Sequence, residues 1–130
     1  MSWLLDTDTV SFALRGQGDV AARLREHRPS ELAISSITAA ELRYGASRRN
    51  SRRLHRLIDR FVAGIAVAPF DEHAAARYGR LAASLVSGGR QIGAFDTMIA
   101  AHALALGATL VSHNTRHFDR VRGLKREDWY

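Results

Sequence analysis

Short apolar runs alternate with longer segments of helical periodicity along this chain of 130 residues. The apolar runs predict strands at 3–5, 32–35, 65–67 and 109–112. Apolar residues at intervals of three and four predict helices around 9–14, 19–27, 38–44, 52–62, 72–86 and 96–106. Strands that alternate with helices form a parallel sheet covered on both faces. The sequence therefore predicts a three-layer α/β/α domain with a central parallel sheet, whose ligand site lies beyond the carboxyl ends of the strands.

The size and charge of the chain predict one globular domain, residues 1–130, that binds a polyanion. The sequence has 19 Lys and Arg against 13 Asp and Glu, a net charge of +6. Such a field favours nucleic acid or an acidic protein as partner. No apolar run approaches the roughly 20 residues of a spanning helix, and the first residues lack the basic region of a signal peptide. We therefore expect a cytoplasmic protein with no membrane contact.

Three acidic residues fall where a parallel sheet would bring them together. Asp6 directly follows the first predicted strand, and Glu41 lies in the first turns of the helix after the second. Asp96 opens a helix with almost no polar face, which leads into the last strand. The carboxyl ends of parallel strands lie at one edge of the sheet, so these acids are expected to meet there.

Each acid also has a purely structural explanation. Asp6 and Asp96 are suitable N-caps, and the segment Thr38-Ala39-Ala40-Glu41 matches a capping box. Together, however, three carboxylates in one cleft repel each other unless a cation is present. The sequence contains no cysteine, so an oxygen-ligated Mg²⁺ or Mn²⁺ is the expected metal. Such a site on a basic protein indicates a metal-dependent nuclease.

Four segments, in order and spanning almost the whole chain, resemble the signatures of VapC-type PIN-domain ribonuclease toxins. They are Leu4-Leu5-Asp6-Thr7-Asp8, residues 35–45 (SSITAAELRYG), residues 92–103 (IGAFDTMIAAHA) and residues 110–118 (LVSHNTRHF). The resemblance implies a PIN-like fold and an Mg²⁺-dependent endoribonuclease that cuts structured RNA such as tRNA or ribosomal RNA. It also implies a homodimer that acts as the toxin of a type II toxin–antitoxin pair and is neutralised by a VapB-type antitoxin.

The resemblance also assigns roles to individual residues. Asp6 and Asp96 match the principal metal ligands of the family, and Glu41 matches the acid that completes the cluster. Asn114 stands where many PIN domains have a fourth acid. This departure leaves three carboxylates in the catalytic set of Asp6, Glu41, Asp96 and Asn114.

Arginines near these motifs are the candidates for contact with RNA. The densest basic run, residues 48–56, contains Arg48, Arg49 and Arg52, and Arg116 lies beside Asn114. Guanidinium groups bind phosphate in a bidentate manner and stack on unpaired bases. The alternative for the basic run is a solvated helix face. The aromatic residues Tyr44, Phe61, Tyr78 and Phe95 are assigned to the core or to an interface.

Two other functions remain open from the sequence. Asp6 and Asp8 resemble the opening motif of haloacid-dehalogenase-like phosphatases, but that family needs a lysine within the core of the domain. The only lysine here is Lys125, close to the end of the sequence. The second alternative is a non-catalytic basic RNA-binding module, in which the acids act only as helix caps.

Overall fold

A computed structural model describes residues 2–130, and Met1, where the predicted domain begins, lies outside the described residues. Within 2–130, five strands form one parallel sheet in the order β3-β2-β1-β4-β5. The strands are β1 (Trp3–Leu5), β2 (Leu32–Ser35), β3 (Ala66–Ala68), β4 (Thr109–Val111) and β5 (Arg126–Glu127). The predicted parallel α/β/α architecture is confirmed.

Seven α-helices connect and cover these strands in the described part of the chain. They are α1 (Thr7–Arg15), α2 (Val20–Arg25), α3 (Ser36–Arg48), α4 (Arg52–Ala63), α5 (Glu72–Ser87), α6 (Ala94–Leu106) and α7 (Thr115–Phe118), with a 3-10 turn at Pro29–Glu31. The sequence did not predict β5, because Arg126 and Glu127 are exposed and carry no apolar pattern. None of the helices within 2–130 combines the length and apolar character that crossing a membrane requires.

Alternate residues of each central strand enter two separate cores, one on each face of the sheet. Leu4 of β1 packs with the buried side chains of α5, α6 and α7. Its neighbour Leu5 packs on the opposite face with buried residues of α1, α3 and α4. Successive side chains of a strand point to opposite faces, and burial on both faces accounts for the continuously apolar strand sequences.

The strand register brings three chain segments together at the carboxyl edge of the sheet. Leu5 pairs with Ile34 of β2 on one side and with Val111 of β4 on the other. Chain order runs outward from β1 to β3 and then returns to β4, on the other side of β1. Such a reversal opens a crevice beyond the strand ends. The residues that follow β1, β2 and β4 border this crevice.

Candidate active site

Asp6 follows β1 and is the N-cap of α1, as its structural explanation predicts. Its Oδ1 accepts a hydrogen bond from the backbone N–H of Thr9 at 2.8 Å. The side chain is only 4% exposed. Burial raises the pKa of Asp6 from 3.8 to about 6, against the opposing effect of hydrogen bonds from Ser112 and Thr9. Asp6 therefore caps α1, and burial destabilises the ionised form of its carboxylate.

Glu41 lies in the second turn of α3, because this helix begins at Ser36 with Ser35 as its N-cap. The capping box predicted with Thr38 is therefore wrong. Instead, the hydroxyl of Thr7 donates a hydrogen bond to Glu41 Oε1 at 2.5 Å. Partial burial raises the pKa of Glu41, the Thr7 hydrogen bond lowers it, and the negative charges of Asp96 and Asp8 raise it. Glu41 thus shares an electrostatic environment with two other acids.

Asp96 lies in the first turn of α6, whose N-cap is Gly93 at a φ of 93°. The N-cap explanation is therefore wrong for Asp96. Its carboxylate still benefits from the helix dipole at this end. Asp96 Oδ2 lies 2.8 Å from Nδ1 of His117 and accepts a hydrogen bond from Asn114 Nδ2 at 3.5 Å. Two side chains from the segment after β4 therefore hold this carboxylate.

The sequence predicted Asn114 as part of the site but did not identify His117 as a partner of Asp96. Asn114 is the N-cap position of α7, and its Nδ2 lies 3.0 Å from Nδ1 of His117. The spacing of three residues would have placed these side chains on one face of a helical turn. A helix of four residues, however, leaves too little periodicity in the sequence to predict it.

A cleft of about 270 Å³ between α1, α3 and α4 borders Glu41, but Asp6 and Asp96 are not part of its lining. Glu41, Asp8 and Thr7 line it together with Arg15 and Arg49. Of the four predicted RNA-binding arginines, Arg49 therefore lies at this cleft, whereas Arg48, Arg52 and Arg116 are exposed outside its lining. Arg15 was not among the predicted residues, because it stands alone in the sequence on the last turn of α1.

The carboxylate oxygens at the strand ends suit a hard divalent cation, most of whose other ligands are water molecules. Within residues 2–130, no group of three or more His, Asp or Glu side chains is arranged so that it could hold one metal ion. This excludes a closed protein cage in the described chain, but Mg²⁺ is typically bound through one or two carboxylates and several waters. The carboxylates of Asp6 and Glu41, with their raised pKa values, are oxygen ligands that a nearby cation would favour in the ionised form.

Comparison with known proteins identifies the family. The PIN domain model matches residues 3–124. The chain is 38% identical to the tRNA(fMet)-specific endonuclease VapC of Shigella flexneri, over 99% of this chain and 98% of that protein. It is 34% identical to Ribonuclease VapC2 of Haemophilus influenzae, again over 99% and 98% of the two chains. The chain belongs to the VapC family of PIN-domain proteins.

Solved VapC structures share the architecture as well as the sequence. The crystal structure of VapBC2 from Rickettsia felis bound to a promoter DNA fragment matches with a TM-score of 0.90 and 32% identity, and covers 100% of both chains. DNA-bound VapBC from Salmonella typhimurium gives a TM-score of 0.90 and 34% identity, over 100% of this chain and 99% of that chain. PIN domains are metal-dependent nucleases. Membership of this family therefore argues against both alternatives, a haloacid-dehalogenase-like phosphatase and a non-catalytic RNA-binding module.

Proposed function

We propose that the chain is the toxin of a type II toxin–antitoxin pair, an Mg²⁺-dependent endoribonuclease that also accepts Mn²⁺. Its substrate is structured RNA, either tRNA or ribosomal RNA, and the whole of residues 1–130 forms one nuclease domain that acts in the cytoplasm. The observation that supports the proposal is the placement of Asp6 and Glu41 beyond the carboxyl ends of β1 and β2, with Asp96 held by side chains from the segment after β4. The names of the curated relatives, endonuclease and ribonuclease VapC, support the reaction class.

Asp6 and Asp96 are the principal metal ligands in this proposal, and Glu41 completes the cluster. A divalent cation held there supplies Lewis-acid activation of water and stabilises negative charge on the scissile phosphate. Asn114 takes part by donating its amide hydrogen to Asp96 rather than by adding a fourth negative charge. Burial raises the pKa values of Asp6 and Glu41 because it destabilises their ionised forms, and a bound cation would supply the neutralising charge that these carboxylates lack.

The partners of these carboxylates fix where their oxygens lie. The N–H of Thr9 holds Asp6, and the Thr9 hydroxyl donates to the Val111 carbonyl at 3.0 Å, which ties the start of α1 to β4. Thr7 holds Glu41, and His117 holds Asp96. Each carboxylate is thus oriented before any ligand binds, and such preorganisation reduces the reorganisation needed during the reaction.

Arginine side chains bind the RNA backbone in this proposal. Of the predicted set of Arg48, Arg49, Arg52 and Arg116, Arg49 lines the cleft that contains Glu41 and Asp8, and Arg15 lines the same cleft. The chain has a net charge of +6, and basic side chains that contact phosphates release counterions from the nucleic acid. The acids therefore lie beside groups that bring a polyanion close to them.

The proposed protein partners are a VapB-type antitoxin and a second copy of the chain. The matching crystal structures of VapBC2 from Rickettsia felis and VapBC from Salmonella typhimurium support the first. The homodimer is proposed from the resemblance to the family. The amphipathic helices α4 around Leu57 and α5 around Leu81 are candidates for its interface.

Brief induction of the chain, followed by mapping of new RNA ends in total cellular RNA, tests the function and locates the cleavage site. We expect one or a few discrete sites, cleavage by the purified protein that requires Mg²⁺ or Mn²⁺, and no cleavage by Asp96→Asn. Cleavage that persists at the parent rate in Asp96→Asn, or that is unaffected by a chelator, would contradict the proposed site.

A further inference from the structure

Two aromatic side chains lie exposed beside the candidate active site rather than in the core. Tyr44 of α3 is 66% exposed and Phe95 of α6 is 55% exposed. Of the two predicted locations, core or interface, the core is therefore wrong for these rings. Burial of a ring of this size stabilises a protein by about 1.5–3 kcal/mol. Because Tyr44 and Phe95 are exposed, their rings do not contribute this stabilisation. Exposed apolar groups that cluster around a concave surface mark binding sites.

Tyr44 and Phe95 face a common cleft of about 490 Å³, which we call the aromatic cleft. Thr7, Ala40 and Glu41 complete its lining. Ala40 and Tyr44 are four residues apart on α3 and so lie on one face of the helix. The small side chain of Ala40 leaves space beside the Tyr44 ring, and the cleft has the size of a small-ligand site.

The rings of Tyr44 and Phe95 have no aromatic partner within residues 2–130. Other aromatic side chains pack in pairs, such as Phe12 with Tyr130 and Trp3 with Trp129. No ring pair in the described chain includes Tyr44 or Phe95. The aromatic cleft therefore offers ring faces that are not engaged with other rings of the protein.

The aromatic cleft reaches Glu41 and lies beside the chain segment that carries Asp96. Glu41 and its partner Thr7 belong to the lining, and Phe95 directly precedes Asp96 in the chain. A phosphate held through a divalent cation at these acids would bring the neighbouring base to the cleft, because only a ribose separates the two groups in a nucleotide. Unpaired bases of RNA are recognised by stacking on aromatic side chains.

We propose that the aromatic cleft binds one unpaired nucleobase next to the scissile phosphate and stacks it against Tyr44 and Phe95. This inference rests on the proposed ribonuclease function and adds a substrate-positioning site to it. It restricts the substrate to RNA in which the base beside the cleaved bond is unpaired, as in a loop. The apolar lining suits the neutral face of a base, while the charged phosphate remains at the polar edge.

The test uses the full chain and an RNA oligonucleotide that spans the mapped cleavage site. One version carries the fluorescent base 2-aminopurine next to the scissile phosphate, and a second version lacks the base at that position. Binding is measured in Mg²⁺ by rapid mixing, before cleavage occurs, because the cation is needed to hold the phosphate at the acids. We expect the fluorescence of 2-aminopurine to be quenched on binding to the parent protein, as stacking requires.

Substitution of the rings separates stacking from other contributions. Tyr44→Ala and Phe95→Ala should each weaken binding of the base-containing RNA by about 5- to 150-fold, the effect that base–aromatic stacking supplies. Tyr44→Phe keeps the ring and should bind as the parent does, whereas Phe95→Leu keeps the apolar bulk and should bind like Phe95→Ala. Val86→Ala, at an exposed apolar residue of α5 outside the cleft, is the matched control and should change nothing.

The abasic RNA should bind equally to the parent and to every ring variant. Equal losses for the abasic and base-containing RNAs would overturn the inference, and so would parent-like binding by Tyr44→Ala and Phe95→Ala. A change of these variants from dimer to monomer, or loss of antitoxin binding alone, would instead show that a protein occupies the cleft and would also overturn it. If the parent neither cuts nor binds any RNA, the proposed function itself fails; cleavage with unaffected ring variants overturns only the stacking site.

Discussion

The hydroxyl of Thr7 donates a hydrogen bond to Oε1 of Glu41 at 2.5 Å. The two residues belong to helices that follow neighbouring strands, α1 after β1 and α3 after β2. This contact lowers the pKa of Glu41, whereas burial and the charges of Asp96 and Asp8 raise it. A single threonine therefore favours the ionised form of Glu41 in a crevice that otherwise favours the neutral acid.

Thr7→Val removes the donor while preserving the shape of the side chain. We expect the pKa of Glu41 to rise further, so that Mn²⁺ binding and RNA cleavage require a higher pH than in the parent. The free energy of unfolding should fall by about 1 kcal/mol at pH 8, because a half-buried carboxylate loses a partner. Thr7→Ser retains the hydroxyl and should retain the parent pH profile. Identical pH profiles for Thr7→Val and the parent would contradict this role.

Asp6→Asn should inactivate the enzyme and stabilise the fold. The folded-state pKa of Asp6, about 6, lies above the usual 3.8, so the protein loses stability as the pH rises through 6 and Asp6 ionises. Asn remains an effective N-cap and stays neutral. In a chelator we expect the free energy of unfolding to increase by about 2–3 kcal/mol at pH 8 and to change little at pH 4.

The matched control for this comparison is Asp71→Asn. Asp71 also caps a helix, through a hydrogen bond from the N–H of Ala74, but it is exposed and its hydrogen bond lowers its pKa. This variant should not gain stability at pH 8. Chemical denaturation at both pH values measures the difference, and equal behaviour of the two variants would rule out burial of Asp6 as the cause.

His117→Ala tests whether the histidine positions Asp96. Loss of a hydrogen-bonding partner behind a metal ligand weakens metal affinity by about 10- to 100-fold, and we expect a decrease in this range for Mn²⁺, measured by electron paramagnetic resonance. His113→Ala is the matched control, because His113 lies 2.9 Å from Asp128 rather than against Asp96. A similar loss in both variants would indicate a general structural effect instead.

Arg49→Gln should weaken RNA binding through the phosphate backbone. Arg49 lines the cleft that contains Glu41 and Asp8, and each phosphate contact to a single strand contributes about 0.7 to the slope of log affinity against log salt. We expect the slope to decrease by about this amount. Arg80→Gln, on α5 across the sheet, should leave the slope unchanged. An unchanged slope for Arg49→Gln would exclude the contact.

The sequence alone determined the layered fold and the positions of the acids relative to the strands. Apolar runs and helical periods report which faces are buried, so β1, β2, β4 and the long helices could be predicted from local patterns. The parallel arrangement then placed Asp6, Glu41 and Asp96 at one edge. The short elements α7 and β5 carry no such pattern, and they form because the sheet and core are already present to pack against.

Only the tertiary structure decided which polar and aromatic groups meet. Thr7 with Glu41 and His117 with Asp96 are contacts between separate elements, and a burial pattern cannot specify partners across such distances in the chain. The same limit explains why Glu41 resembled a capping residue and Tyr44 a core or interface residue in the sequence. The sequence determined which acidic residues lie at the strand ends. The tertiary structure determined which side chains hydrogen-bond to each carboxylate and which surface lies beside it.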